Sequence, residues 1–227
     1  MRVHVAFVPA EAVSAPVGIV VDVVRATSSI AQALASGYQR VLCCAEIEDA
    51  KALRAELGKS AITGGERDAQ RIDGFDAGAS PREFLEPRAE TLILSTTNGT
   101  RAIVTAAASC GEVVLGSLLN LDAATRLVRE RSQDTVVLCA GFKDDFAIDD
   151  AYCAGRIVTQ LEADRSDAAI AAGLVADHYP EAIDGINART YGPPGLEEDI
   201  AFVARVDVLD TVPRLSRMLG PAAELLA

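Results

Sequence analysis

The stretch Gly18–Ser36, GIVVDVVRATSSIAQALAS, changes character twice. Gly18–Val24 is apolar except for Asp22, the composition of a strand buried on both faces. Thr27–Ser36 is alanine-rich and begins with hydroxyl residues, which predicts a helix opened by a hydroxyl cap. Between them lies a short polar joint carrying Arg25. Strand, polar joint and helix then recur along the chain. Arg40–Cys44 reads as a strand, Glu46–Leu57 as a helix with acidic residues early in it, and Ala61–Thr63 as a short strand. Residues 64–81 are glycine-bearing with little periodicity. Thr91–Ser95 predicts a strand, Thr100–Ser109 a helix, Glu112–Leu115 a strand, and Asn120 caps a helix running to about Arg131. Thr135–Cys139 is another strand. Beyond Asp149 the pattern is mainly helical, with a tail marked by Pro213 and Pro221. The N-terminal MRVHVAFVPA alternates like a first strand. Strands alternating with helices predict an α/β fold with a largely parallel sheet and a helical C-terminal third.

A shift of 74 residues lays Gly37 on Gly111, Ala50 on Ala124, Leu53 on Leu127 and Asp76 on Asp150, with the same element order in both copies. That order supports two similar lobes, 1–85 and 86–227, within one unit spanning 1–227. Helix-on-sheet packing accounts for the alanine and valine content equally well without duplication.

Composition narrows the partners. The chain has 227 residues, a formal charge of −12, no Trp and only 4% aromatics, which opposes both phosphate-backbone neutralisation and base stacking. Nucleic acid is excluded, whereas a small anion needs only a local group of arginines. The N-terminus lacks the apolar core of a signal peptide, and no apolar run approaches the roughly 18 residues of a membrane span, so a cytoplasmic protein without membrane contact is expected. Five cysteines, an odd number without a Cys-x-x-Cys pair, read as reduced core thiols.

In α/β sheets ligands gather where strands end and helices begin. Four such joints are unusually polar here. DVVRATSS carries Asp22 and Arg25; TGGERDAQRIDGFDAGASPRE carries Glu66, Arg67, Asp76 and Ser80; STTNGTR carries Asn98, Gly99, Thr100 and Arg101; CAGFKDDFAIDD ends in Asp149 and Asp150. Helix N-termini offer free N–H groups to an anion, and Arg25, Arg67 and Arg101 offer planar forks to its oxygens. Asp22, Glu66, Asp149 and Asp150 supply the hard oxygens that Mg²⁺ prefers. Carboxylates, arginines, one metal and one anion make a phosphoryl-transfer site. Each element also has a plainer reading. Asp22 is then a helix-capping acid, the arginines are salt-bridging residues, GFDAGASP is a turn-rich connection, Asp149-Asp150 is an N-cap pair, and the acidic 144–145 pair beside Lys143 is a solvated loop.

Other anion sites fail on single letters. Leu53 stands where a nucleotide P-loop would have glycine before Gly58-Lys59-Ser60, Val24 replaces the second aspartate of a haloacid-type phosphatase, and Asp145 lies where a cysteine phosphatase built on Cys139 would need arginine. His4 and His178 are the only histidines, and neither lies in a polar loop, so histidine phosphatases, His-based zinc sites and a serine triad fit poorly.

Taken in order, DVVRATSSI, GGERDAQRIDGFDAGASPRE, STTNGTRA and CAGFKDDFAIDDAYCAG resemble the signature blocks of the 2-phosphosulfolactate phosphatase family. SDAA at Ser166–Ala169 and GLEEDIAFVARVDVLDTVP before the tail extend the similarity from about Val3 to Pro213. The resemblance implies a Mg²⁺-dependent α/β phosphatase with its active site in a cleft between two similar lobes. The implied reaction removes phosphate from 2-phospho-3-sulfolactate, giving 3-sulfolactate in coenzyme M biosynthesis. On our reading of the residues, Asp22, Arg25, Glu66 and Arg67 are the catalytic candidates, and Thr27, Ser28 and Asn98–Arg101 the substrate-binding ones. The metal falls to Asp22, Glu66 and Asp150, with Asp149 beside them. Three positions depart from the family pattern: Ala79 replaces an asparagine, Asp149 a glutamate and Asp68 a glycine. Two alternatives stay open, a phosphatase for another small 2-phospho-carboxylate and a non-catalytic protein that binds an anionic metabolite. A homodimer through the helical C-terminal third is also expected.

Overall fold

A computed structural model describes residues 1–190, 192 and 195–227. Along the chain run β1 (Arg2–Ala6), β2 (Ala15–Val21), α1 (Ala26–Ala35), β3 (Arg40–Cys44), α2 (Ile47–Leu57), β4 (Ala61–Arg67), β5 (Gln70–Arg71), β6 (Thr91–Ser95), α3 (Gly99–Ser109) and β7 (Cys110–Gly116). There follow α4 (Leu121–Arg131), β8 (Thr135–Cys139), α5 (Ile148–Gln160), β9 (Asp164–Arg165), α6 (Asp167–His178), α7 (Ala182–Asn187), α8 (Glu197–Val203), β10 (Arg214–Leu219) and β11 (Ala222–Leu226). The predicted α/β class with a mostly parallel sheet is what the chain adopts. Among the described residues no helix is long and apolar enough to cross a membrane.

One sheet runs through the whole molecule in the order β5-β4-β6-β3-β11-β10-β7-β2-β8-β1-β9. Two parallel blocks, β4-β6-β3 and β7-β2-β8-β1-β9, are joined by the antiparallel hairpin β10-β11. The sheet therefore does not divide at residues 85/86. β6 lies beyond that point yet pairs with β3 and β4, while β1 and β2 lie before it yet pair with β8 and β7. The tail expected after the helices is the connecting hairpin itself. A two-residue turn with Gly220 at φ +57° joins its strands, the geometry that a tight hairpin requires.

Strand alternation sorts the core. Val17, Ile19 and Val21 of β2 pack with Tyr152, Ile157 and Val158 of α5, whereas Val20 faces Ile30 of α1 and Ile103 of α3 on the opposite side. The cluster on that side also takes Val41 and Leu94 from one strand block, Val113 and Leu138 from the other, and Leu225 from the hairpin. A single apolar layer thus spans both blocks and fixes how their strand ends face each other. The five cysteines are free thiols, four of them buried.

Candidate active site

β2 delivers Asp22 to the end of the sheet, where its backbone and side chain together start α1. The carboxylate Oδ1 accepts from the Ala26 N–H (3.2 Å), and the carbonyl accepts from Thr27 N–H (3.0 Å) and Thr27 Oγ1 (2.9 Å). The predicted hydroxyl cap is therefore a carboxylate cap. Thr27 and Ser28 are buried, with Ser28 Oγ donating to the Val23 carbonyl (2.8 Å), and neither lines the cleft described below. The other carboxylate oxygen, Oδ2, faces Gly99. A Cβ there would lie 2.4 Å from Oδ2 and 2.4 Å from Ala26 Cβ, so only glycine lets the N-termini of α1 and α3 converge on Asp22.

Glu66, near the end of β4, bridges two loops. Its Oε1 accepts from Thr97 N–H and its Oε2 from Ala69 N–H, each at 2.7 Å. Arg67 follows it on the same strand and points the other way, as alternate residues of a strand must. Its guanidinium donates to the carbonyls of Glu66 (2.8 Å) and Ala45 (3.1 Å) and to Ser95 Oγ (3.0 Å), bracing three strand ends outside the cleft. Thr100 is buried and exchanges bonds with Thr96, each N–H donating to the other's Oγ1 at 3.2 Å. Arg101 is exposed, 3.7 Å from Glu46, in a separate depression next to the cleft.

Asp149 and Asp150 occupy the first turn of α5 and are buried behind Asp22. Asp150 accepts from Val23 N–H (2.9 Å) through Oδ1 and from Gly141 N–H (3.1 Å) through Oδ2, tying the loops after β2 and β8 together. Asp149 Oδ1 accepts from the Asp150 N–H (3.1 Å). Arg25 does reach the cleft. Its Nη1 donates to Asp199 Oδ2 (2.8 Å) at the start of α8, and Ser80 Oγ donates to Asp199 Oδ1 (2.5 Å).

These loops enclose a cleft of about 320 Å³. Asp22, Arg25, Glu66 and Asn98 line it as expected; Arg67, Arg101, Thr27, Ser28, Gly99, Thr100, Asp149 and Asp150 do not. Asp68, Lys143 and Arg189 also line it, although the sequence assigned none of them to the site: Asp68 stood out only as a departure from the family pattern and Lys143 only as part of a solvated loop. Lys143 had a signal available, since it follows β8 at the same sheet edge as the other loops. Its Nζ lies 2.7 Å from Asp68 Oδ1, and that bond and charge hold the Asp68 carboxyl below its usual range.

Burial raises the Asp22 carboxyl from 3.8 to about 7; Glu66 and Asp149 push the same way, against the Ala26 N–H and Arg25. Asp150 is raised too, by burial first and then by Asp149 and Asp22. Burial likewise pushes the Cys139 thiol up, which makes it a poor nucleophile. A carboxyl that ionises near neutrality can hold or release a proton in the working pH range. The donors are all carboxylate oxygens and mutually repelling, the chemistry that a hard divalent cation relieves. Yet among the described residues no three His, Cys, Asp or Glu side chains are grouped tightly enough to hold a metal by themselves.

Comparison with known proteins supplies a family. The family model described as 2-phosphosulpholactate phosphatase matches residues 4–218. A protein of Caldanaerobacter subterraneus subsp. tengcongensis, named a probable 2-phosphosulfolactate phosphatase, is 36% identical over 209 residues, covering 87% of this chain and 86% of its own. Relatives of the same name from Thermus thermophilus (35% over 234 residues, 98% of each chain) and Thermotoga petrophila (33% over 225 residues, 94% of this chain and 95% of its own) align nearly end to end.

Proposed function

The chain belongs to the 2-phosphosulpholactate phosphatase family of phosphoric monoester hydrolases, and on that premise we propose that it hydrolyses 2-phospho-3-sulfolactate to 3-sulfolactate and phosphate with the help of Mg²⁺. A place in coenzyme M formation and a cytoplasmic setting belong to the same reading. The observation that carries it is the meeting of Asp22, Glu66 and Arg25 in one cleft, with Asp22 poised to change protonation near neutral pH.

In this reading Arg25 is a preset fork. Asp199 and Ser80 fix its orientation, so little side-chain entropy is lost when phosphate arrives. Asn98 and the start of α3 add a polar wall and the positive end of a helix dipole. Asp22 stands at the reacting end and carries the proton or the lone pair that ester cleavage needs. Burial, Glu66 and Asp149 keep its affinity for protons high while no metal is bound. Asp22 and Glu66 would hold the metal, with water and phosphate oxygens filling its remaining positions, and the ion would draw charge off the phosphoryl oxygens. Asp149 and Asp150 act from behind Asp22 rather than as direct ligands.

The test is phosphate release from 2-phospho-3-sulfolactate, measured in EDTA and after Mg²⁺ is restored. Turnover that appears only with the metal is expected. Saturable binding without phosphate release would sink the catalytic reading, and full turnover in EDTA would remove the metal from it.

A further inference from the structure

Among the described residues three cations face the cleft, and they are held very differently. Arg25 is locked into a buried pair, with both partners' side chains at most 10% exposed. Arg189 forms part of the wall, and among the described residues it has no ion pair. Lys143 is paired, but its side chain is 55% exposed and that of Asp68 is 76% exposed. Ion pairs this open to solvent are held weakly and can be exchanged at low cost.

The backbone beneath Lys143 is anchored. Its N–H donates to Asn98 Oδ1 (3.1 Å), and Phe142 and Asp145 close the turn with reciprocal N–H to carbonyl bonds of 2.9 and 3.1 Å. The side chain alone is therefore free to choose a partner. Its position gives it a choice, because Lys143, Thr97 and Asn98 line both the main cleft and the adjoining depression of about 370 Å³ that contains Arg101. The main cleft mixes its cations with Asp22, Glu66 and Asp68, whereas the depression is lined by Lys143 and Arg101 against the single acid Asp144. A phosphoryl group beside a metal suits the first environment. A second anionic group with no metal to share suits the other.

We propose that Lys143 determines substrate specificity by leaving Asp68 to bind the sulfonate at C3, which enters the depression with Arg101 while the phosphate occupies the main cleft. This rests on the phosphatase reading and extends it to the far end of the substrate. A sulfonate stays ionised at all working pH values and accepts through three oxygens, so a swinging ammonium can meet it without exact alignment. Asp68 then acts as a placeholder that keeps Lys143 extended over the cleft when no substrate is present.

The experiment compares 2-phospho-3-sulfolactate with 2-phospholactate, which keeps phosphate and carboxylate but carries a methyl group at C3. Lys143→Ala should raise KM for the sulfonated substrate about tenfold or more while moving that for 2-phospholactate less than about threefold, and Lys143→Arg should restore most of the difference. Asp68→Ala should lower KM for the sulfonated substrate, because it removes the competitor. Equal damage to both substrates by Lys143→Ala, or a raised KM in Asp68→Ala, would show the pair to be a structural brace and overturn the assignment. Calorimetric binding of 3-sulfolactate to the parent and to Lys143→Ala reads the contact without turnover. If the parent releases phosphate from neither substrate, the phosphatase reading fails, and an unchanged affinity in that titration is what removes Lys143.

Discussion

Asp22 and Glu224 are both carboxylates almost closed off from solvent, 8% and 4% exposed, yet their surroundings drive them in opposite directions. Asp22 stands in the cleft among other acids and is pushed up to about 7. Glu224 lies on β11 in the seam between the two strand blocks. Burial pulls it up as well, but Arg40 (Nη1 to Oε1, 3.0 Å) and Arg217 (Nε to Oε2, 2.8 Å) overcome that and hold it below its usual range. The seam matches its charges one oxygen at a time. The cleft leaves like charges together, and a fold tolerates that where chemistry gains from it. One region is built for stability and the other at the expense of stability.

The largest effect should come from Asp22→Asn. If the unmatched acid performs the chemistry, turnover falls by about a thousandfold or more, the scale of losing an acid–base or metal-holding group. Stability should move the other way. The native state favours protonated Asp22, so between 3.8 and about 7 it binds more protons than the unfolded chain, and its stability falls as pH rises through that window. The displacement corresponds to on the order of 4 kcal/mol against the ionised form. In metal-free buffer at pH 8, urea denaturation should find Asp22→Asn more stable than the parent by about 1–4 kcal/mol, with a flatter dependence on pH. A variant that is inactive and also less stable would mean that the carboxylate cap on α1 outweighs the repulsion, and the contrast between the regions would vanish.

Glu224→Ala probes the opposite case. It strands Arg40 and Arg217 and opens the joint between β3 and β11, so the unfolding free energy should drop by about 1–3 kcal/mol, less than for a fully buried pair because both arginines reach solvent. Activity of the molecules that remain folded should hardly change. The depressed carboxyl also sets a sign: its contribution is present above the unfolded value of 4.5 and is lost as pH falls through the lower native one. The parent should therefore lose more stability between pH 5 and pH 3 than Glu224→Ala does, measured by the same denaturation.

The two regions also differed in how far they could be read from letters. Arg40–Cys44, Thr91–Ser95 and Thr135–Cys139 match their strands residue for residue, because apolar runs between polar joints have few other ways to be buried. β10 and β11 escaped notice for a physical reason. RLSRML is mostly exposed, and AAELL is made of good helix formers that are strands only because β3 and β10 supply partners. The seam was thus illegible although it holds the sheet together. In the cleft, Asp22 and Glu66 were legible as acids at strand ends. Arg67 was misplaced because β4 continues through it, which sends neighbouring side chains to opposite sides. Asp199 takes its role from Arg25 and Ser80, brought near by the fold, and Arg189 reaches the cleft from far along the chain; no local pattern encodes either.

The smallest expected effect separates the two hairpins that belong to these regions. The seam turns at Gly220, φ +57°, with nothing within 4 Å of a would-be Cβ, whereas the cleft hairpin turns through Asp68 and Ala69 at φ +50° and +60°. A side chain in this left-handed region costs about 1–2 kcal/mol, and glycine's greater freedom when unfolded returns part of that. Ala69→Gly should therefore stabilise the protein by about 0.5–1 kcal/mol, and Gly220→Ala should destabilise it by a similar amount. Paired thermal melts would read the difference as shifts of a few degrees in opposite directions. If Ala69→Gly instead lowers the melting temperature, the Ala69 N–H that Glu66 receives and the carbonyl that takes Arg25 Nη2 at 3.4 Å depend on the rigidity of that turn. The strained backbone would then be part of how Glu66 and Arg25 are held over the cleft, and the cost would have been located at a particular residue.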